Sequence, residues 1–261
     1  MNIDELFGEL LRLSIENNIS KPYLVGGIPR DMVMGSVSDF SDFDITTNNS
    51  DITRLAITTA YTFDELFKIF SDGHISVYFD DYILDFSSNF ISTKAVIYLD
   101  SKLGTKDKKL HEVYSRDFTI NTLHMDIETK EISDPIGLGL DDIKRKIIRT
   151  PIPPEITISD DPRRAYRAIN FAVRFGFDID DDLVKFLKNN AKEFADDGLL
   201  YVKPESITSI ISRALEVDAT RTIEYLLDVD LFSSVPLVGR FKDELIKRKL
   251  VKQYIDIAQN Y

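Results

Sequence analysis

The sequence predicts an α+β fold, a small mixed sheet with flanking helices, followed by an all-α second half. Three observations predict it. Short apolar runs of strand type are confined to the first 150 residues, at Tyr23–Val25, Phe43–Thr46, His74–Phe79 and Tyr82–Phe86. Beyond Thr150 the apolar residues recur almost only at helical spacing. Between the two, Pro151, Pro153 and Pro154 make a stiff connection, and the domain boundary is placed there, giving 1–150 and 151–261.

The elements follow in order. Ile3, Leu6, Leu10, Leu11 and Ile15 predict an amphipathic helix over 3–17, broken by the run from Asn17 to Pro22. Tyr23-Leu24-Val25 is a short strand ending in Gly26-Gly27. Pro29 suits the first turn of a helix over 29–34, where its missing N–H costs nothing, and Gly35 is a left-handed cap. Phe43–Thr46 is a second strand, and 51–60 and 63–70 read as helices. The two later β-rich runs are joined by a hairpin turn at Asp80-Asp81. Residues 98–110 are rich in Lys, Asp, Ser and Gly and read as a mobile loop, with a helix expected over about 115–123. Asp134-Pro135-Ile136-Gly137 is a loop signal. In the second half, helices are expected at 161–175, 181–189, 204–216, 219–228 and about 240–257.

Composition bounds the function. The 261 residues are 43% hydrophobic and 29% charged, a soluble globular balance. No apolar run approaches the roughly 20 residues of a membrane span, so no membrane partner is expected. The acidic N-terminus carries no leader pattern. The absence of cysteine excludes disulfides, thiol nucleophiles and thiolate zinc sites, and fits a cytoplasmic protein. A net charge of −12 argues against non-specific nucleic-acid binding, but residues 141–174 carry eight Lys/Arg against five Asp/Glu, and 240–253 six against two. The second cluster reads equally as a track for a polyanion or as a solvated helix face. Oligomeric state is not legible in the sequence.

Candidate chemistry concentrates in residues 23–47. Asp42 and Asp44 share one face of a strand, roughly 6.6 Å apart. Carboxylates so placed can hold a pair of divalent cations about 3.5–4 Å apart. Hard oxygen ligands favour magnesium. An isolated Asp-x-Asp is otherwise a solvated acidic loop, and Asp39 nearby suits that reading. Gly26 and Gly27 let backbone N–H groups approach a phosphate, although a glycine pair alone is also a simple tight turn. Arg30 can reach a terminal phosphate with its fork of donors, oriented by Asp31. Together these residues imply a metal–nucleoside triphosphate.

The stretch resembles the signature of the DNA polymerase β-type nucleotidyltransferase superfamily, and more closely that of class II CCA-adding tRNA nucleotidyltransferases and bacterial poly(A) polymerases. Their opening motif is Gly-Gly-x-Val-Arg-Asp followed by an Asp-x-Asp strand; here Pro29 replaces the valine. Arg116-Asp117-Phe118-Thr119-Ile120-Asn121 resembles the family's Arg-Arg-Asp-Phe-Thr-x-Asn, with Ser115 for the first arginine. The resemblance assigns sugar selection to Asp117, and phosphate or ribose contacts to Arg116 and Asn121. Asp160-Asp161-Pro162-Arg163-Arg164 resembles Glu-Asp-x-x-Arg, which in class II enzymes presents hydrogen-bond groups to the base edge of CTP or ATP. Three apart on a helix, Asp161 and Arg164 would share a face. Arg167 continues the match and is counted with the nucleotide-binding residues, while Phe171, Phe175 and Gly176 read as core. Superfamily members often carry a third carboxylate beside the Asp-x-Asp strand, a place that Asp85 would fill as base for a 3′-hydroxyl. Ser206 stands where the family usually has an arginine. His74, His111 and His124 show no ligand spacing and are assigned no chemistry.

The resemblance implies two Mg2+ ions on Asp42 and Asp44, CTP and ATP as substrates, and the 3′ end of an RNA, most simply tRNA, as acceptor. Poly(A) addition uses the same motifs and stays open beside CCA addition, as does a nucleotide-binding relative that has lost catalysis. Family members usually run further into helical tRNA-holding domains. Here Arg240, Lys242, Lys247, Arg248, Lys249 and Lys252 are the phosphate contacts expected in the last helical segment.

Overall fold

The computed structural model describes residues 2–36, 40–71, 73–87, 92–104, 107–196, 203–235, 239–250 and 252. Asp39 lies outside them. The chain divides into two compact units, Met1–Ile143 and Lys144–Tyr261.

The first unit is a seven-stranded mixed sheet. Its strands are β1 (Tyr23–Leu24), β2 (Asp42–Thr46), β3 (Leu66–Ile69), β4 (Ile75–Tyr78), β5 (Ile83–Phe86), β6 (His124–Asp126) and β7 (Ile132–Ser133), in the order β3-β4-β5-β2-β1-β6-β7. Neighbours are antiparallel except β2 and β5, which run parallel with Asp44 opposite Asp85. One face is apolar. Phe43 and Ile45 from β2, Leu84 and Phe86 from β5, and Ile75 and Val77 from β4 share a core with Leu6, Phe7 and Leu10 of α1 (Ile3–Glu16) and Ile52, Leu55 and Ala56 of α3 (Asp51–Phe63). Phe7 meets Phe43 edge-on at 5.4 Å. Asn2 starts α1 with a capping box, its side chain accepting from the Glu5 N–H while the Glu5 carboxylate accepts from its own.

Several expectations need correction here. Residues 63–70 are not a helix. The chain leaves α3 through Asp64 in the left-handed region at φ 55° and pairs as β3 with β4. Leu66, Phe67 and Ile69 satisfy either period, and the sheet neighbour decides. β3 is an edge strand with all four residues exposed, Leu66 at 80%. The expected loop over 98–110 is largely helical: α4 (Thr93–Tyr98), a π-helical turn Leu99–Leu103, and α5 (Lys108–Tyr114) capped by the Asp107 side chain. The helix expected over 115–123 is only a 3-10 turn, Thr119–Asn121. The remaining helices of the unit are α2 (Gly27–Val33), followed by Gly35 at φ 72°, and α6 (Gly139–Arg145), which runs to the boundary between the units.

Among the described residues, the regular structure of the second unit is helical apart from a two-residue parallel ladder of β8 (Ile147–Ile148) with β9 (Asp178–Ile179). Its helices are α7 (Pro154–Asp160), α8 (Arg163–Phe175), α9 (Asp181–Asp196), α10 (Pro204–Val217), α11 (Ala219–Asp228) and α12 (Gly239–Lys247). The last is shorter than expected, and residues 251 and 253–257 of the expected helix lie outside the described ones. Tyr166 of α8 is wholly buried, shares a 2.7 Å hydrogen bond with the Ser234 hydroxyl, and has its phenol pushed up to about 12 by burial.

Leu84 sits at the centre of the first unit's sheet with no exposure. Leu84→Ala should lower the unfolding free energy by about 3 kcal/mol in urea titrations, through lost transfer energy plus a cavity. A loss under about 1 kcal/mol would contradict its place in the core.

Candidate functional site

Strand alternation creates the site. With Phe43 and Ile45 committed to the core, Asp42, Asp44 and Thr46 project from the opposite face of β2. Asp42 and Asp44 are both exposed, and Asp42 accepts from the Ser41 hydroxyl at 2.9 Å. Asp85 projects from the same face of β5, opposite Asp44, and accepts a hydrogen bond from the Ser76 hydroxyl of β4. Three carboxylates therefore occupy one sheet face on two neighbouring strands. Among the described residues, no three His, Asp or Glu side chains converge closely enough to form a metal cluster. Asp42 and Asp44 nonetheless fit a hard divalent cation, being exposed oxygen donors on one side of a strand.

The glycine pair lies directly beside them. Val25 donates its N–H to the Asp44 carbonyl at 3.0 Å, and the chain then turns at Gly26, φ 74°. A Cβ at Gly26 would stand 2.7 Å from Asp44 Oδ2. Glycine is thus required twice there, by the backbone conformation and by the carboxylate. Gly27 opens α2, and a Cβ on it would meet Arg30 Nη2 at 3.3 Å.

Arg30 joins the two halves of the first unit's motif. It is 6% exposed. Its Nε donates to Asp31 Oδ1 at 2.8 Å and its Nη1 to Asn121 Oδ1 at 2.7 Å, across 91 positions of sequence. Asn121 in turn donates to Asp117 Oδ1 at 2.9 Å, which also accepts the Phe118 N–H at 2.8 Å. Asp31, Arg30, Asn121 and Asp117 so form one chain of charge-assisted contacts. The 3-10 turn that carries Asn121 is braced from below: Thr119 donates to Asp142 at 2.6 Å, and a Cβ on Gly139 would strike the Thr119 carbonyl at 2.6 Å.

Arg116 is held separately. Its Nη2 donates to Glu112 Oε1 at 3.2 Å, and Glu112 Oε2 accepts from the Thr46 hydroxyl of β2 at 2.9 Å. Burial pushes the Glu112 carboxyl up, against the pull of Arg116 and Thr46. The side-chain Nε of Arg116 is buried without a hydrogen-bond partner. Sequence reasoning missed Glu112. Its signal was the four-residue spacing to Arg116, which lies just past the C-terminal end of α5. Of the histidines, His74 stacks on Phe70 at 3.9 Å and His111 faces Asp100 at 3.3 Å. His124 is buried, its Nε2 has no hydrogen-bond partner, and desolvation beside Arg116 and Lys109 pushes it down to about 3.

In the second unit the expected geometry of Asp161 and Arg164 is corrected. Asp161 is not on the helix. It lies extended between α7 and α8, caps the Arg163 N–H at 3.0 Å and pairs with the Arg163 guanidinium at 2.8 Å. Pro162 ends the helical pattern ahead of it, so shared-face spacing does not apply. Arg164 is buried on α8 and donates to the Thr157 carbonyl at 3.1 Å. Arg167 lies over the Phe171 ring at 5.1 Å. Among the C-terminal basic residues, Arg248 is bound to Glu244 at 2.8 Å and to the Glu216 carbonyl at 2.6 Å, and Lys247 approaches Glu244 at 3.7 Å.

Residues 22–149 match the family model described as the poly A polymerase head domain. The chain is 44% identical over 80 residues to tRNA nucleotidyltransferase cca1 of Schizosaccharomyces pombe, covering 31% of this chain and 16% of that protein. It is 28% identical over 226 residues to the CCA-adding enzyme of Geobacillus sp. (strain WCH70), covering 85% of this chain and 52% of that one. The chain spans about half the length, or less, of these curated relatives. Its fold is that of the Bacillus stearothermophilus CCA-adding enzyme solved in complex with CTP, with a TM-score of 0.69 at 24% identity over 93% of this chain and 56% of that one. No helix among the described residues is long and apolar enough to cross a membrane.

His124 gives the first unit an acid limit. Neutral when folded down to about pH 3, it takes up a proton in the unfolded chain below its ordinary 6.5. Its contribution to stability is complete above that value and is lost as pH falls, at about 1.4 kcal/mol per pH unit. Urea titrations between pH 7 and 4 should show a shallower loss for His124→Asn than for wild type. Parallel slopes would contradict the buried neutral imidazole.

Proposed function

We propose that the chain is a template-independent RNA nucleotidyltransferase that transfers CMP and AMP from CTP and ATP to the 3′ end of tRNA, as in CCA addition. The observation that carries the proposal is the single sheet face holding Asp42, Asp44 and Asp85, with Gly26 closed against Asp44 and the Arg30–Asn121 bond gathering the second motif beside the first. The curated relatives named as CCA-adding enzymes and as tRNA nucleotidyltransferases support the choice of acceptor. In this reading residues 1–150 are the catalytic head, and 151–261 a helical segment for base selection and RNA contact. The absence of cysteine suits the reducing cytoplasm.

The residues divide the work as follows. Asp42 and Asp44 would hold two Mg2+ ions, which supply Lewis-acid stabilisation to the reacting phosphate and lower the pKa of the attacking hydroxyl. Asp85 stands on the same face to receive the proton of the RNA 3′-hydroxyl. That oxygen attacks the α-phosphorus in line, a P–O bond forms, and the bond to the β-phosphate oxygen breaks to release pyrophosphate. The Gly26–Gly27 backbone lets the triphosphate approach without a side chain in the way. Arg30, oriented by Asp31, would meet phosphate beside the glycine pair while it holds Asn121; Asn121 and Asp117 would meet the ribose, and Arg116 would meet phosphate. In the second unit Asp161 would accept from the exocyclic amine that cytosine and adenine share, Arg164 would donate to ring nitrogen or oxygen, and Arg167 would complete the nucleotide contacts.

A second reading, poly(A) addition, is favoured by the description of the family that residues 22–149 match. Incubation with Mg2+, each labelled NTP, and tRNA ending before CCA, tRNA ending in CC, or unstructured RNA separates the two. Growth that stops at CCA supports the first and a long A ladder the second. Asp42→Ala should reduce incorporation by about 100-fold or more. An equally active variant, or no incorporation by wild type on any acceptor, would overturn the proposal. Arg164→Ala should blur the preference for C and A over U and G more than it weakens Mg2+ dependence, and an unchanged preference would remove Arg164 from base choice.

A further inference from the structure

Glu112 is a buried carboxylate that the proposed reaction does not use. It is 4% exposed. One oxygen accepts from the Thr46 hydroxyl at 2.9 Å, and the other from Arg116 Nη2 at 3.2 Å. Thr46 is two residues beyond Asp44 on β2 and projects from the same sheet face as Asp42 and Asp44. Its hydroxyl also accepts the Asn48 N–H at 2.9 Å, so it is fixed from both sides. An arginine two residues past a short helix would otherwise sample many rotamers; here one nitrogen is pinned while the Nε donor is left buried and unpartnered.

We propose that Glu112 is a positioning residue that clamps Arg116 to the carboxylate-bearing face of β2 and so presents its guanidinium to the triphosphate. The proposal rests on the reading that Arg116 contacts nucleotide. It requires the negative charge at 112, and not merely a side chain of that volume, because only a carboxylate both accepts from Thr46 and neutralises a half-buried guanidinium.

The test is a double-mutant cycle on the full chain, read as ATP and CTP dissociation constants without acceptor and as KM and kcat with acceptor. Arg116→Ala reports the nucleotide contact. Glu112→Gln should raise the dissociation constant and KM about tenfold, with kcat changed less than about threefold, since ground-state binding is what the clamp supports. Added to Arg116→Ala, the same change should have no further effect. Glu112→Asp, which keeps the charge, should restore part of the affinity, and it carries the test if Glu112→Gln melts at a much lower temperature than wild type. Wild-type affinity in Glu112→Gln, or additive losses in the double variant, would overturn the clamp. A wild-type chain that binds neither nucleotide, or Arg116→Ala binding as tightly as wild type, would instead overturn the reading beneath it.

Discussion

The structure depends on a constraint within five residues. β2 lies in the middle of the sheet, bonded to β1 on one side and β5 on the other, so its register cannot slip. Phe43 and Ile45 fill the core against α1 and α3. A period of two leaves Asp42, Asp44 and Thr46 no choice but the other face. Two carboxylates on one side of a strand repel each other, and they persist because Phe43 between them and Ile45 after them are worth more buried than that repulsion costs. The exposed carboxylate pair is thus a by-product of the core, held in place by Phe43 and Ile45.

A second requirement is to bring a distant segment to that face. The loop of Asp117 to Asn121 comes 91 positions after Arg30, yet one buried hydrogen bond ties them. A buried guanidinium is tolerable only when its donors are matched, and Asp31 and Asn121 do this with short contacts of 2.7 to 2.8 Å. Such contacts contribute more to placing the partners than to net stability. Arg30 is therefore an organiser of the turn that carries Asn121, a duty that its proximity in sequence to the glycine pair does not disclose.

The paired carboxylates and the glycine turn were legible because each follows from local pattern, alternation on β2 and a Gly-Gly break after an apolar strand; the hairpin at Asp80-Asp81 joined β4 to β5, while the place of Asp85 beside β2 came only from the family resemblance. What was not legible depended on tertiary partners. Leu66 to Ile69 carries no local preference strong enough to refuse a helix, and β4 settles it. Residues 98–110 looked unstructured from their polarity, yet Asp107 caps a helix there. Asp161 was expected on a helix, but it lies extended and with Pro162 forms the break between α7 and α8, and Arg163 takes its carboxylate. Glu112 escaped notice because nothing in its neighbourhood says that it will be buried against Thr46, 66 positions earlier.

The exposed edge of the sheet has its own consequence. Among the described residues β3 pairs on one side only, and its outer row of backbone groups, flanked by Leu66, Phe67 and Ile69, is a template on which another extended chain could add. Lys68 in its centre is the chief obstacle within the strand, an ammonium that an incoming apolar strand would have to desolvate. Mutual repulsion of molecules carrying −12 charges is the other. A strand added there would lie at the opposite end of the sheet from β7, and salt, by screening the repulsion, would favour such an addition through a strand that takes no part in the proposed chemistry.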